Sequence, residues 1–191
     1  MSTTTIIILV VGLLVLVTGY QIYVSVIQKK NKVLEAFSSI SVQLKKRYDL
    51  IPNILTSANK FMEHERSLME EVTKLRTQAM SLPNDLKSIG KKIQLDSQIK
   101  SLMGQIMVAV ENYPQLKSDQ TMITAMQTYN EVEEHIAAAR RFYNSAVLEL
   151  NNAVEIFPSS VIAAACGVTK QEFFQTDDTE RRAVNAADYL K

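Results

Sequence analysis

Residues 33–82 read VLEAFSSISVQLKKRYDLIPNILTSANKFMEHERSLMEEVTKLRTQAMSL, and the spacing of their apolar side chains decides the fold. In steps of four and three, a stripe runs through Val33, Phe37, Ile40, Leu44, Arg47, Ile51, Ile54, Ala58, Phe61, Glu65, Leu68, Val72, Leu75, Ala79 and Leu82. A sustained heptad of this kind marks helices packed by knobs into holes. Only Arg47 and Glu65 interrupt it. Pro52 lies inside the stripe, where it removes a backbone donor and disfavours α geometry at Ile51. The chain either reverses there, giving four helices, or kinks and continues. Because the period passes Pro52 without losing phase, we read one kinked helix. The stripe ends at Pro83-Asn84-Asp85, a turn that also offers an N-cap to the next helix.

Outward from this stretch the same periodicity recurs. A second segment, residues 86–113, carries Ile89, Ile93, Ile99, Met103, Ile106, Val110 and Tyr113 before Pro114. A third can be capped by Ser118 or Asp119. Its stripe is Met122, Met126, Tyr129, Glu133, Ile136, Arg140, Tyr143, Val147, Leu150, Val154 and Phe157, and it ends at Pro158. Residues 159–166 can form a short further helix. The predicted fold is all-α: an N-terminal transmembrane helix followed by an antiparallel bundle of three or four long segments, the first kinked or broken at Pro52. Only five glycines and four prolines punctuate the chain, which suits long helices and disfavours a many-stranded barrel or sandwich.

Towards the N-terminus, residues 6–27 read IIILVVGLLVLVTGYQIYVSVI, with Gln21 the only strongly polar side chain. As a helix this run spans about 33 Å, enough for a hydrocarbon core near 30 Å. Tyr20 and Tyr23 stand near its end, where such rings favour the headgroup level. The preceding MSTTT has no basic residue, the apolar run exceeds that of a signal peptide, and no A-x-A follows, so we read a retained anchor. Lys29, Lys30 and Lys32 flank one side and no cation flanks the other. The positive-inside rule then places the N-terminus outside and the rest in the cytosol. The expected division is 1–5 short tail, 6–27 transmembrane helix, 28–175 cytosolic bundle and 176–191 polar tail.

Lys plus Arg number 21 and Asp plus Glu 20, so no charge excess points to nucleic acid. The single Cys166 cannot form an internal disulfide, which agrees with a reducing compartment.

Two stretches go beyond periodicity: SVQLKKRYDLIPNIL (residues 41–55), and the series ENYPQLKSD, AAARRFYNSAVLELNNAV and IFP in the C-terminal half. With the N-terminal apolar run, these resemble the LemA family, whose members carry a run close to VQLKRRxDLIPNLV, a YPxLK element, an ARxxYNxxVxxYN helix and a following FP. The resemblance covers roughly residues 30 to 175. Lys46 and Leu150 depart from it, standing where the family often has Arg and an aromatic. The resemblance implies an α-helical bundle on a membrane anchor, no established enzymatic activity, and links to membrane organisation or to membrane-bound signalling or protease partners.

The residues themselves offer no catalytic constellation. Neither His64 nor His135 has a Glu three residues before it, as diiron bundles require, and the Glu131/His135 pair stands alone. Cys166 has no histidine near it in sequence, and neither a G-x-S-x-G nor a phosphate loop occurs. No catalytic residue, cofactor, metal or small-molecule substrate is therefore expected. What stands out is charge within apolar stripes. Arg47, Asp49, Glu65, Glu133 and Arg140 are expected to form a buried polar network, with Arg140 paired to Asp49 or Glu65. The expected function is a membrane-anchored, non-enzymatic scaffold presenting its bundle to itself or to other membrane proteins. The alternative is a membrane-shaping or sensory accessory protein in which Lys29, Lys30 and Lys32 meet anionic lipid. The expected location is a bacterial inner membrane.

Overall fold

The structure is a computed structural model and describes residues 2–174. The expected polar tail at 176–191 lies outside the described residues. Every regular element among those described is a helix: α1 (Thr3–Ala58), α2 (Arg66–Ser81), α3 (Ile89–Val110), α4 (Pro114–Lys117), α5 (Gln120–Glu155) and α6 (Ser159–Ala165). The chain divides into two compact units, Gln28–Phe142 on the one hand and Met1–Ile27 with Tyr143–Lys191 on the other.

In the unit Gln28–Phe142, each stripe position of α1 from Val33 to Ala58 is buried, Arg47 included. The helix runs through Pro52, but it does not reach Leu82 as the phase of the stripe predicts. It stops at Ala58, and the chain reverses over residues 59–65 before α2. Arg76 of α2 meets Tyr48 of α1, while Met69 and Thr73 line one pocket with Leu55 and Thr56, so the two helices run antiparallel. Met62 is wholly buried under this reversal, and Phe61, the stripe residue, is exposed. The connection is seven residues long, one heptad, and for that reason the apolar phase survives a change of direction.

Pro52 has a use in this arrangement. Lacking an N–H, it leaves the carbonyl of Tyr48, four residues earlier, without its helical donor. Arg76 fills that position: its Nε donates to the Tyr48 oxygen at 2.6 Å. The proline thus opens an acceptor on α1 that α2 occupies from outside. Arg76→Ala should cost about 1–3 kcal/mol, the penalty of an orphaned acceptor. The same change in a Pro52→Ala background, where residue 52 regains its N–H, should cost less. Chemical unfolding of the four proteins in detergent checks this, and equal costs in both backgrounds would sink the account.

The other connections are built from local hydrogen bonds. Asp85 accepts from the Ser88 N–H (2.8 Å) ahead of α3. Pro114 opens the short α4, where its missing N–H is not needed, and Leu116 behind it is fully buried. Tyr113 donates its hydroxyl to Glu65 (3.0 Å), tying the end of α3 to the start of α2. Asp119 caps α5 by accepting from the Thr121 and Met122 N–H groups (2.8 and 3.1 Å), and these bonds hold its carboxyl below the usual range. With Lys32 over the ring of Phe142 and Arg47 paired to Glu133, α5 runs antiparallel to α1. The unit therefore has four long helical segments running alternately up and down.

Among the described residues one helix, α1, is long and apolar enough to cross a membrane, by length and composition, and its most apolar window contains no buried residue. The exposed run gives out before residue 27, since Val26 is buried. The C-terminal part of α5 buries Tyr143, Ala146, Val147, Leu150 and Ala153. Phe157, predicted as the last residue of that stripe, is 78% exposed, because α5 ends at Glu155 and the chain turns there. After α6, Gly167 takes a left-handed conformation (φ 64°) that glycine adopts without strain. The chain then returns along α5. Asn151 grips the main chain of Gln171 in both directions, its amide N donating to the carbonyl and its amide O accepting from the N–H, each at 2.9 Å. Asn144 does the same to Phe174 at 3.0 and 2.8 Å. Tyr143 adds a bond from its hydroxyl to the Glu172 carbonyl (3.3 Å) and a tilted ring contact with Phe174 at 4.3 Å between centroids.

Candidate functional site

The centre of the unit Gln28–Phe142 holds a string of charges contributed by three helices. Arg47 of α1 donates from Nη1 to Asp96 of α3 (2.6 Å) and forms an ion pair through Nη2 with Glu133 of α5. Arg140 of α5 reaches the same Asp96 oxygen at 3.4 Å, and Lys100 of α3 pairs with Glu133 at 2.7 Å. The order is Arg140, Asp96, Arg47, Glu133, Lys100, with signs alternating throughout. Arg47 and Asp96 are fully buried, and exposure rises towards the two ends, Arg140 at 22% and Lys100 at 47% of the side chain.

Local spacing explains the geometry. Asp96 and Lys100 are four residues apart on α3 and so share a face. Glu133 and Arg140 lie two turns apart on α5, too far to pair, and are bridged through Asp96 and Arg47. The guanidinium of Arg47 also sits 5.4 Å from the ring centre of Tyr129. A slide of one helix by a single residue, about 1.5 Å, would break the short contacts, so the string fixes helix register.

Of the five residues predicted as a network, the structure brings together Arg47, Glu133 and Arg140. Asp49 and Glu65 are elsewhere. Asp49 stands two residues from Arg47, about 200° around the helix, and pairs with Lys45 at the surface (2.7 Å). Glu65 lies in the reversal before α2 and accepts from Tyr113. Arg140 is thus paired not to an acid of the first helix but to Asp96, a residue outside the apolar stripes. A signal for it exists: the buried positions of α3 are Ile89, Lys92, Asp96, Ile99, Met103, Ile106 and Val110, in steps of three and four. Following apolar residues alone selects Ile93 instead and leaves a gap of six.

Burial pushes the Tyr129 phenol up to about 12 and also raises that of Tyr48, with the Asp96 carboxylate adding to the effect on Tyr48. Both are neutral in the folded protein at physiological pH, whereas an unfolded tyrosine ionises near 10. The contribution of Tyr129 to stability is complete below pH 10 and lost as pH rises through about 12. In alkaline unfolding, Tyr129→Phe should flatten the fall in stability over that interval; an unchanged slope would contradict this.

Among the described residues no three His, Cys, Asp or Glu side chains group as a metal site would need. Cys166 is exposed. Of the flanking lysines, Lys30 is exposed, while Lys29 and Lys32 are half-buried and Lys32 lies 5.9 Å from the centre of the Phe142 ring.

These features define an all-helical class of protein with a long exposed apolar run near the N-terminus and charge buried between its helices. The sequence model of the LemA family matches residues 36–187. Protein LemA of Metamycoplasma hominis is 23% identical over 173 residues, covering 88% of this chain and 78% of that protein. Magnetosome proteins MamQ 1 and MamQ 2 of Paramagnetospirillum magneticum are each 31% identical over 80 residues, 42% of this chain and 29% of theirs. The chain belongs to the LemA family. The motif residues acquire physical roles here: Pro52 opens the acceptor for Arg76, Tyr113 ties α3 to α2, and Asn144 and Asn151 hold the returning chain.

Proposed function

We propose that this LemA-family protein is a membrane-anchored, non-enzymatic helical scaffold. Its helical unit Gln28–Phe142 faces the cytosol of a bacterial cell and is presented to further copies or to other membrane proteins. The observation that carries this reading is the apolar window of α1: long enough to cross a bilayer, near the N-terminus and without any buried residue. A stretch this apolar with none of its residues buried calls for lipid. The non-enzymatic part rests on the charged centre, where the carboxylates meet cations and no nucleophile stands beside a base.

Protease added outside intact cells should leave a C-terminal tag untouched, and carbonate should not extract the protein. Neutralising Lys29, Lys30 and Lys32 together should raise the fraction inverted. Cleavage of the tag in the unaltered protein sinks the orientation, and carbonate release sinks the anchor. A second reading, a membrane-shaping or sensory accessory protein, draws on the exposed Lys30 next to the apolar run. Tight binding to anionic but not neutral vesicles by a variant lacking residues 1–27 would favour it.

A further inference from the structure

Between Glu155 and Lys170 the sequence is IFPSSVIAAACGVT, fourteen residues without a single charge or histidine. Glu155 and Lys170 themselves form an ion pair, which closes this stretch at its neck. The loop so formed turns apolar side chains outward: Ile156 is 58%, Phe157 78% and Val161 62% exposed. Within the same unit it stands against the apolar run of α1. An open groove of about 560 Å³ lies between them, lined on one side by Val11, Leu14, Val15 and Ile22 and on the other by Phe157 and Val161.

We infer that residues 156–169 enter the bilayer as a second apolar element beside the N-terminal helix, and that lipid acyl chains fill the groove between the two. The inference rests on the anchor proposed above and extends it. One wall of the groove is the anchor itself, so whatever surrounds the anchor at that depth also meets the loop. With Lys29 at the headgroups, Ile22 lies about 10 Å and Leu14 about 22 Å further along the helix, inside the hydrocarbon. Water does not reach that depth to satisfy a backbone, and much of the loop's backbone is met from within. Ser160 N–H bonds to the Ile156 carbonyl (2.9 Å), Cys166 to Ile162 (3.0 Å), Gly167 to Ala164 (3.1 Å) and Val168 to Ala163 (2.9 Å). Pro158 has no N–H to satisfy, and the Ser159 hydroxyl donates to the Ile156 carbonyl at 2.8 Å. The loop is therefore uncharged, apolar outward and bonded in large part to itself. Those are the properties a non-spanning element needs in lipid.

Spin labels on the full chain in lipid nanodiscs test this. In a Cys166→Ser background, labels at Leu14→Cys, Phe157→Cys, Val161→Cys and Gln127→Cys would be compared for relaxation by oxygen, which partitions into lipid, and by a nickel chelate, which stays in water. Positions 157 and 161 should match position 14, with an oxygen-to-nickel ratio several-fold above that at the exposed position 127. Two labels in the loop guard against one substitution disturbing it. If position 14 reports lipid while 157 or 161 reports water, the inference is overturned and the anchor stands. If position 14 reports water, the anchor reading falls and the inference falls with it.

Discussion

Asp96→Ala should lower the free energy of unfolding by about 3–5 kcal/mol, because it leaves buried cations without their shared acceptor. Asp96 accepts from Arg47 at 2.6 Å and from Arg140 at 3.4 Å, and neither it nor Arg47 has appreciable contact with water. After the substitution Arg47 keeps its ion pair with Glu133, and Arg140 keeps none of its observed ion pairs. Asp49→Ala is the matched comparison: its pair with Lys45 is half exposed, and its loss should cost within about 0.5 kcal/mol. Replacing Arg47 by Met and Asp96 by Leu together should cost much less than the sum of the single changes, since an apolar pair removes the desolvation penalty as well as the attraction. Denaturant unfolding in detergent measures all of these. An Asp96→Ala midpoint no lower than that of Asp49→Ala would show that the string carries no stability.

Some of this centre is legible in the sequence, and the rest is hidden for identifiable reasons. Arg47, Glu133 and Arg140 can be found because each interrupts a stripe otherwise apolar, and a charge there must be met. Asp96 is hidden because a nearby isoleucine, Ile93, offers a more attractive apolar path. The all-helical fold is readable from the heptads of α1 and α5. The reversal at residues 59–65 is not. That connection, NKFMEHE, contains neither glycine nor proline, and its length of one heptad preserves the phase that a reversal normally destroys. Pro52 draws suspicion instead, being the visible helix breaker, yet the unpaired carbonyl it creates is met by an arginine 28 residues after Tyr48 in sequence. The asparagines of the family motif are visible as matches, but their partner is a main chain, which has no sequence signature.

Asn144→Ala combined with Asn151→Ala should release residues 168–174 from α5. The pair of substitutions removes four hydrogen bonds, each worth about 0.5–1.5 kcal/mol net. The expected result is local: rapid hydrogen exchange at Gln171 and Phe174 and new protease cleavage near Lys170, with slow exchange retained around Arg47. Each single variant should loosen the segment less than the double. Unchanged protection at Gln171 and Phe174 in the double variant would mean that the ring contact between Tyr143 and Phe174 holds the segment by itself.

This mode of attachment sets how the protein can change over generations. Asn144 and Asn151 bond to the peptide units of Phe174 and Gln171, and the Tyr143 hydroxyl bonds to that of Glu172. The letters at 171 to 173 are therefore free to drift, while the two asparagines are not. Proline is barred from positions 171 and 174, because each must give up an N–H to its asparagine, and position 174 must also keep the ring that packs on Tyr143. Much of the selective pressure that keeps this segment in place falls on residues 20 to 30 positions earlier in the chain, and a mutational scan should find positions 171 to 173 tolerant and Asn144 and Asn151 intolerant.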